Sequence, residues 1–396
     1  MKNIFKFFRK DKTGEPPYDY NFLYNLQESE YPKYLKKIYK HITGENLNLK
    51  HPKTFNEKIQ WIKLYGVTPL MRDCTDKVKV RDYVKEKIGE EYLKPIFQII
   101  PNKSHETVRC HCEQVNDNLG LARQSGNISH DILDCHADIK MTLSARNDRE
   151  LDDVSTYFDQ IDFDKLPNSF VIKTNHGCKW HYIIKNKEEY LKNKRLFDET
   201  RKQITGWLEQ DYSLWGGFEM QYKACRRTEP PDNISGARVR LSEDKLNDRT
   251  ESEVNCLPEI KGYQEKGISP KILIEPLMRE EINIPCEEIH VYYSCSKFLF
   301  LVRMKGRYTS LYDDNLNFID NVLSDGDIKI NKPADDLIKQ TFVLSEQLSK
   351  DFKFVRVDWM IYKNKLYFEE LTFTPHSGFH KLNKDYYEKI SKLIEI

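Results

Sequence analysis

The residue types and spacings with the most chemical potential lie near the C-terminus, in Phe354-Val355-Arg356-Val357-Asp358-Trp359 and Tyr367-Phe368-Glu369-Glu370-Leu371-Thr372. Between these runs lies Lys363-Asn364-Lys365, a polar turn whose Asn tolerates a left-handed backbone. A hairpin with a three-residue loop pairs Tyr362 with Leu366, Asp358 with Glu370 and Arg356 with Thr372. The four residues of the last two pairs then share one face. Opposed carboxylates on a ladder have Cβ atoms about 4.5–5.5 Å apart and repel. A divalent cation between them removes that penalty, and hard oxygen donors suit Mg²⁺ held against phosphates. The competing reading is a solvated polar face, and a register slip of one residue separates the acids.

Three further segments carry candidate chemistry. Lys173 leaves an apolar strand just before Thr174-Asn175-His176-Gly177, where its ammonium and the turn amides suit nucleotide phosphates. An ordinary surface hairpin accounts for the same residues, and no Gly-rich phosphate loop of either common spacing is present. Ile274-Glu275-Pro276-Leu277-Met278 ends a strand in an acid and a Pro bend, a hinge that suits an adenine ring or a plain strand end. His290 alternates with Tyr292 on a strand, and Arg303, Lys305 and Arg307 alternate with Met304 and Gly306 on the next. If that strand continues, three cations face an anionic substrate or polyphosphate; otherwise they keep a sheet edge solvated.

The elements that position these residues read as α+β with mainly antiparallel sheets. Residues 20 to 95 are helical in pattern. Thr54 and Glu57 form a capping box ahead of Phe55, Ile59 and Ile62, and a helix from Lys77 to Ile88 stops at Gly89. Tyr92 to Ile99 is expected to be a strand. Strands follow at Phe170 to Lys173, Tyr182 to Ile184, Lys271 to Ile274, and in a hairpin around Ser294-Cys295-Ser296-Lys297. Helices are expected over Glu188 to Glu209 and Ala334 to Lys350. The division is therefore an N-terminal helical region, 1–94, and an α+β region, 95–396. Two aperiodic stretches, 101–152 and 225–267, read as surface or disordered insertions. Cys110, Cys112, Cys135 and His136 in the first match no strong zinc spacing.

Composition narrows the function. The 63 basic residues balance 62 acidic ones, so nucleic acid is not an expected partner. No apolar run approaches the roughly 20 residues of a membrane span, and the basic aromatic N-terminus allows at most weak peripheral membrane contact. Nine cysteines, an odd count at irregular spacing, fit a reducing cytoplasm better than a disulfide framework.

Taken in order, these parts resemble the TupA-like family of the ATP-grasp superfamily, associated with teichuronopeptide and other surface-polysaccharide biosynthesis. The resemblance rests on His51-Pro52-Lys53-Thr54-Phe55-Asn56-Glu57-Lys58, Asp76-Lys77, Leu166 to Lys173 with Asn175-His176-Gly177, and Leu273-Ile274-Glu275. It is strongest in Phe354 to Asp358 with Leu371-Thr372-Phe373-Thr374-Pro375 and Ser377-Gly378-Phe379. The resemblance implies ATP and Mg²⁺ in a cleft between two α+β subdomains. Lys77, Lys173, His176 and Gly177 are expected near the phosphates, Glu275, Leu277 and Met278 at the adenosine, and His290 beside them. Asp358, Glu370 and Thr372 are the expected metal ligands, with Arg356 and Arg303 as catalytic cations. Three departures stand out: Thr372 replaces the Asn of many ATP-grasp enzymes, Gly177-Cys178-Lys179-Trp180 holds a single Gly, and the insertions flank the site. The implied reaction is carboxylate–amine ligation through an acylphosphate, joining an amino acid or other amine to a carboxylate-bearing glycan or lipid-linked precursor. A glycosyltransferase or sugar kinase, with Asp313-Asp314 or Asp325-Gly326-Asp327 as acids, and an inactive scaffold are the alternatives.

Overall fold

A computed structural model of the protein describes residues 20–101, 155–215, 217–224, 267–279, 286–306, 308–319, 328–329, 335–380 and 384–396. The expected insertions, the four candidate zinc ligands, Arg307 and Asp325 to Asp327 lie outside these residues.

Helices come first: α1 (Tyr20–Tyr24), α2 (Tyr31–Thr43), α3 (Phe55–Tyr65), α4 (Pro69–Thr75) and α5 (Val80–Ile88). Apolar residues at helical spacing in α2 (Tyr31, Leu35, Ile38 and Tyr39) pack with Leu214, Phe218 and Met220. At the start of α3, Thr54 accepts from the Glu57 amide at 3.3 Å, and Glu57 accepts from the Thr54 amide at 3.0 Å. Tyr92 ends a 3-10 turn rather than opening a strand; β1 begins only at Gln98 and runs to Pro101. Pro95 stands in between and leaves the segment short of a ladder donor.

The smaller sheet has the order β1-β4-β2-β3, all antiparallel, with β2 (Phe170–Thr174), β3 (His181–Ile184) and β4 (Lys271–Pro276). Phe170, Ile172, Ile184, Ile272 and Ile274 form its apolar face, packed with Ile204 and Leu208. Those two belong to α8 (Lys194–Glu209), which follows α6 (Ser155–Phe158) and α7 (Lys187–Lys192). Asn193 separates α7 from α8 and caps the second, its side chain accepting from the Leu196 amide. The alternate residues Val171, Lys173, Leu273 and Glu275 project from the opposite face.

The larger sheet runs β10-β9-β5-β6-β7-β8. Its strands are β5 (Glu287–Ser294), β6 (Lys297–Lys305), β7 (Tyr308–Tyr312), β8 (Ile328–Lys329), β9 (Phe354–Tyr362) and β10 (Lys365–Thr372), and only β7 with β8 is parallel. One face is covered by α10 (Asp336–Ser349): Trp359 donates its indole N–H to Ser345 at 2.8 Å, and Tyr293 donates to the Phe342 carbonyl at 3.1 Å. The other is covered at one end by α3 and by α11 (Lys384–Leu393), through Phe55 on Phe354 and Tyr386 on Phe300. The short α9 (Tyr212–Trp215) lies in sequence between β3 and β4 of the smaller sheet.

The terminal hairpin differs from expectation at its tip. Its loop has two residues, Lys363 and Asn364, both left-handed (φ 49° and 59°), so Tyr362 pairs with Lys365 and not with Leu366. Positive φ at both positions matches the right-handed twist of paired strands. A bulge after Phe368 then inserts Glu369 and restores Asp358 opposite Glu370 and Arg356 opposite Thr372.

Trp359 is fully buried, so Trp359→Ala should destabilise the fold by about 3–5 kcal/mol in denaturant unfolding. A loss below about 1 kcal/mol would contradict this packing.

Candidate active site

The site begins with ladder parity. His290 pairs with Asp358, and Tyr292 with Arg356, so these four and Glu370 and Thr372 of β10 share one sheet face. Arg356 grips Asp358 with two bonds, Nε to Oδ1 at 2.6 Å and a terminal nitrogen to Oδ2 at 2.5 Å. The same terminal nitrogen donates to the Thr372 hydroxyl at 3.1 Å and lies 3.7 Å from Glu370. Thr372 Oγ1 is 2.9 Å from Glu370 Oε1 and 3.2 Å from Asp358 Oδ2, so the hydroxyl links both acids. Burial pushes the Asp358 carboxyl up against the pull of Arg356.

The bulge adds acid to this end of the face. Glu288, which pairs with Met360 on the same parity, has its pKa pushed up to about 7 by partial burial and by Glu369, Asp358 and Glu370. Crowded carboxylates of this kind favour a cation. Among the described residues no three acids, histidines or cysteines form a complete metal cage. Two carboxylates and a hydroxyl do converge, and such a partial donor set fits Mg²⁺ that is completed by phosphate oxygens and water.

The smaller sheet supplies cations. Lys173 reaches Glu275 at 2.5 Å, and both are largely buried. Lys94, which no sequence motif singled out, lies 2.6 Å from Glu369 and 3.7 Å from Glu275. A buried chain of alternating charge, Lys173–Glu275–Lys94–Glu369, therefore connects the two sheets. Burial opposes ionisation of Glu275, but Lys173 and Lys94 outweigh it and hold its pKa at about 2. Lys77 is anchored at the same place, its amide donating to the Asn175 carbonyl at 3.1 Å and its ammonium to the Gly177 carbonyl at 2.5 Å. Burial lowers its pKa, and Glu370 and Lys173 are near enough to act on its charge.

Two expected site residues are placed elsewhere. Arg303 pairs with Ile289, which pairs with Trp359, so it projects from the face opposite Asp358. There it is buried against Glu287 and Asp335, the latter at 2.6 Å and capping α10. His176 is fully buried, with Nε2 3.1 Å from the Trp207 carbonyl and 3.3 Å from that of Gln210. Its ring fixes the turn to the end of α8 and is closed to phosphate. Gly177 sits under Trp180, whose ring a Cβ would meet at 2.3 Å. Leu277 and Met278 follow β4 half-buried, and the Met278 carbonyl accepts from the Cys286 thiol. His290 lies 3.9 Å from Asp358, and burial together with Arg356 keeps its ring well below the ordinary histidine pKa.

The strap after β10 was read in the sequence only as a family motif, with no role given to its residues. His376, Ser377 and Gly378 are consecutively left-handed (φ 52°, 54° and 70°), and for the two non-glycine residues that costs on the order of 1–3 kcal/mol each. Gln60 holds the strap by donating to the Ser377 and Gly378 carbonyls at 3.0 and 2.9 Å, and buried Lys63 donates to Ser377 Oγ at 2.6 Å. Burial brings the Lys63 pKa down to about 8, against the attraction of Glu219. Glu219 in turn accepts from Thr374 at 2.7 Å.

Residues 232–394 match the family model described as TupA-like ATPgrasp. The match covers fewer than half of the 396 residues but takes in the whole carboxylate hairpin, and it bears out the resemblance drawn from the motifs. The described fold is α+β with mainly antiparallel sheets, and the larger sheet lies within the matched region. No curated protein matches the chain. Among solved structures, D-alanine–D-alanine ligase from Bacillus anthracis is 12% identical, with 76% of this chain and 57% of that one covered and a TM-score of 0.30. The Helicobacter pylori D-alanine–D-alanine ligase is also 12% identical, with 63% and 54% covered and a TM-score of 0.28. The chain thus spans little more than half the length of either. Likenesses this loose leave the chemistry to be argued from the residues themselves.

The Glu275 carboxylate gives a pH prediction. Its pKa is lower folded than unfolded, so its stabilisation is complete above pH 4.5 and is lost as pH falls toward 2. At about 1.4 kcal/mol per pH unit this is on the order of 3 kcal/mol. Urea unfolding of Glu275→Gln should show a flatter loss of stability across that window; an acid limb identical to wild type contradicts the buried charge chain.

Proposed function

We propose that the protein is an ATP- and Mg²⁺-dependent carboxylate–amine ligase. The supporting observation is the convergence of Arg356, Asp358, Glu370 and Thr372 on one sheet face, with Lys77 and Lys173 presented by the neighbouring lobe. Lys77 and Lys173 bind the phosphates, and Lys173 exchanges Glu275 for them. Glu275, Leu277 and Met278 line the adenosine end. A carboxylate oxygen of the acceptor attacks the γ-phosphorus, ADP leaves, and an acylphosphate forms. An amine then attacks the acyl carbon, inorganic phosphate departs, and the nitrogen gives up its proton. Arg356 stabilises charge on the transferring phosphoryl oxygens, and the fixed donors need little rearrangement. Asp358 and Glu370 would hold Mg²⁺, which supplies charge neutralisation at the phosphates when bound.

The family resemblance extends this reading to a uronic-acid-bearing glycan or lipid-linked precursor as acceptor and an amino acid as amine, in surface-polysaccharide or teichuronopeptide biosynthesis. No described helix is long and apolar enough to cross a membrane. A nucleotide-sugar transferase has less support: the described nucleotide-side sheet is antiparallel, and Asp313 is engaged in capping Asn315 and Asn317.

Asp358→Asn or Glu370→Gln should lower Mg²⁺-dependent ADP release by about a hundredfold or more. Turnover indifferent to both changes rules out the cation assignment. Lys173→Ala should raise the calorimetric dissociation constant for ATP by about tenfold or more, the scale of a lost charge-assisted hydrogen bond; unchanged binding removes Lys173 from the site.

A further inference from the structure

Lys94 touches an acid of each sheet, and the reaction described above gives it no part. Its segment is fixed at both ends. On one side Tyr92 packs edge-on against Trp359, ring centroids 5.9 Å apart, and its hydroxyl accepts from the Gln340 side-chain amide at 3.1 Å. On the other the Phe97 amide donates to the Ile274 carbonyl at 2.8 Å, leading into β1 beside β4. The backbone around Lys94 is therefore held between the larger and the smaller sheet, while its long stem keeps the freedom to swing.

The distances define a competition. Lys173 and Lys94 both face Glu275 Oε2, the first at 2.5 Å and the second at 3.7 Å. Lys94 meanwhile donates to Glu369 Oε2 at 2.6 Å. A shift of its ammonium by about 1 Å brings it to hydrogen-bonding distance from Glu275. The two acids differ in how much they need it. The Glu369 side chain is 28% exposed, so water solvates it when Lys94 leaves. The Glu275 side chain is 8% exposed and depends on protein cations for its charge. Arg81 adds positive charge near it, but the close ammoniums are those of Lys173 and Lys94. Phosphate therefore recruits Lys173 at least cost when Lys94 holds the carboxylate that Lys173 leaves.

We infer that Lys94 is a positioning residue for nucleotide binding, moving from Glu369 to Glu275 as Lys173 turns to the phosphates. The exchange keeps the buried acid paired and frees Glu369, next to Glu370, on the larger sheet. This deepens the ligase reading and rests on its placement of Lys173 at the phosphates.

Calorimetric titration of ATP into single and double variants tests the exchange. Lys94→Met should raise the dissociation constant about tenfold, because Lys173 then stays with Glu275. In protein already carrying Lys173→Ala, the same change should alter it by no more than about twofold, since no exchange is left to support. Glu369→Gln should act in the opposite direction, tightening ATP about threefold by releasing Lys94 to Glu275. That gain should vanish when Lys94→Met is also present, whereas a general loosening of the fold weakens binding in every background. ATP binding unchanged by Lys94→Met overturns the inference, as does a loss of equal size with and without Lys173. Should Lys94→Met not fold, Glu369→Gln decides alone, and weakened or unchanged binding overturns the inference. These failures leave the nucleotide site standing, whereas ATP binding indifferent to Lys173→Ala by itself removes the site and the exchange together.

Discussion

The buried pair of Arg356 and Asp358 is the constraint around which the site is arranged. Removing two charges from water costs several kcal/mol per ion, and only close, well-directed bonds offset it. Here the guanidinium meets both carboxylate oxygens, and the Thr372 hydroxyl fills a third direction. Strand β9 can hold such a pair because it is hydrogen-bonded on both sides, to β5 and β10, and is backed by Trp359 on the opposite face. In the proposed reaction, nucleotide and cation would have to reorganise this pair.

The two sheets are matched in charge where they meet. Acids accumulate on the larger sheet, where the bulge adds Glu369 beside Glu370, and cations project from the smaller one and the segment before it. Lys94 links the two sets by touching an acid of each sheet. On the proposed reading, phosphates that draw Lys173 away from Glu275 leave that acid to Lys94 and Arg81, which would connect nucleotide binding to the arrangement of the carboxylates.

Much of the hairpin was legible because side-chain alternation is strict: once Asp358 faced Glu370, Arg356 and Thr372 followed. The tip was misread because a two-residue left-handed turn plus a bulge gives the same distal register as a three-residue loop. Arg303 was misplaced for a related reason, since its parity depends on pairing through β5 to Trp359, which no local pattern reveals. His176 looked like a phosphate-turn residue, yet the end of α8, distant in sequence, claims its ring. Lys94 and His376 left no local signal: one depends on the meeting of two sheets, the other on a left-handed strap braced by Gln60 and Lys63, distant in sequence.

The most direct measurement is a crystal structure with a non-hydrolysable ATP analogue and Mn²⁺ in place of Mg²⁺. The account predicts an anomalous peak about 2.1 Å from oxygens of both Asp358 and Glu370, in contact with the nucleotide phosphates. A nucleotide bound with its metal elsewhere, while Arg356 keeps both oxygens of Asp358, would contradict it.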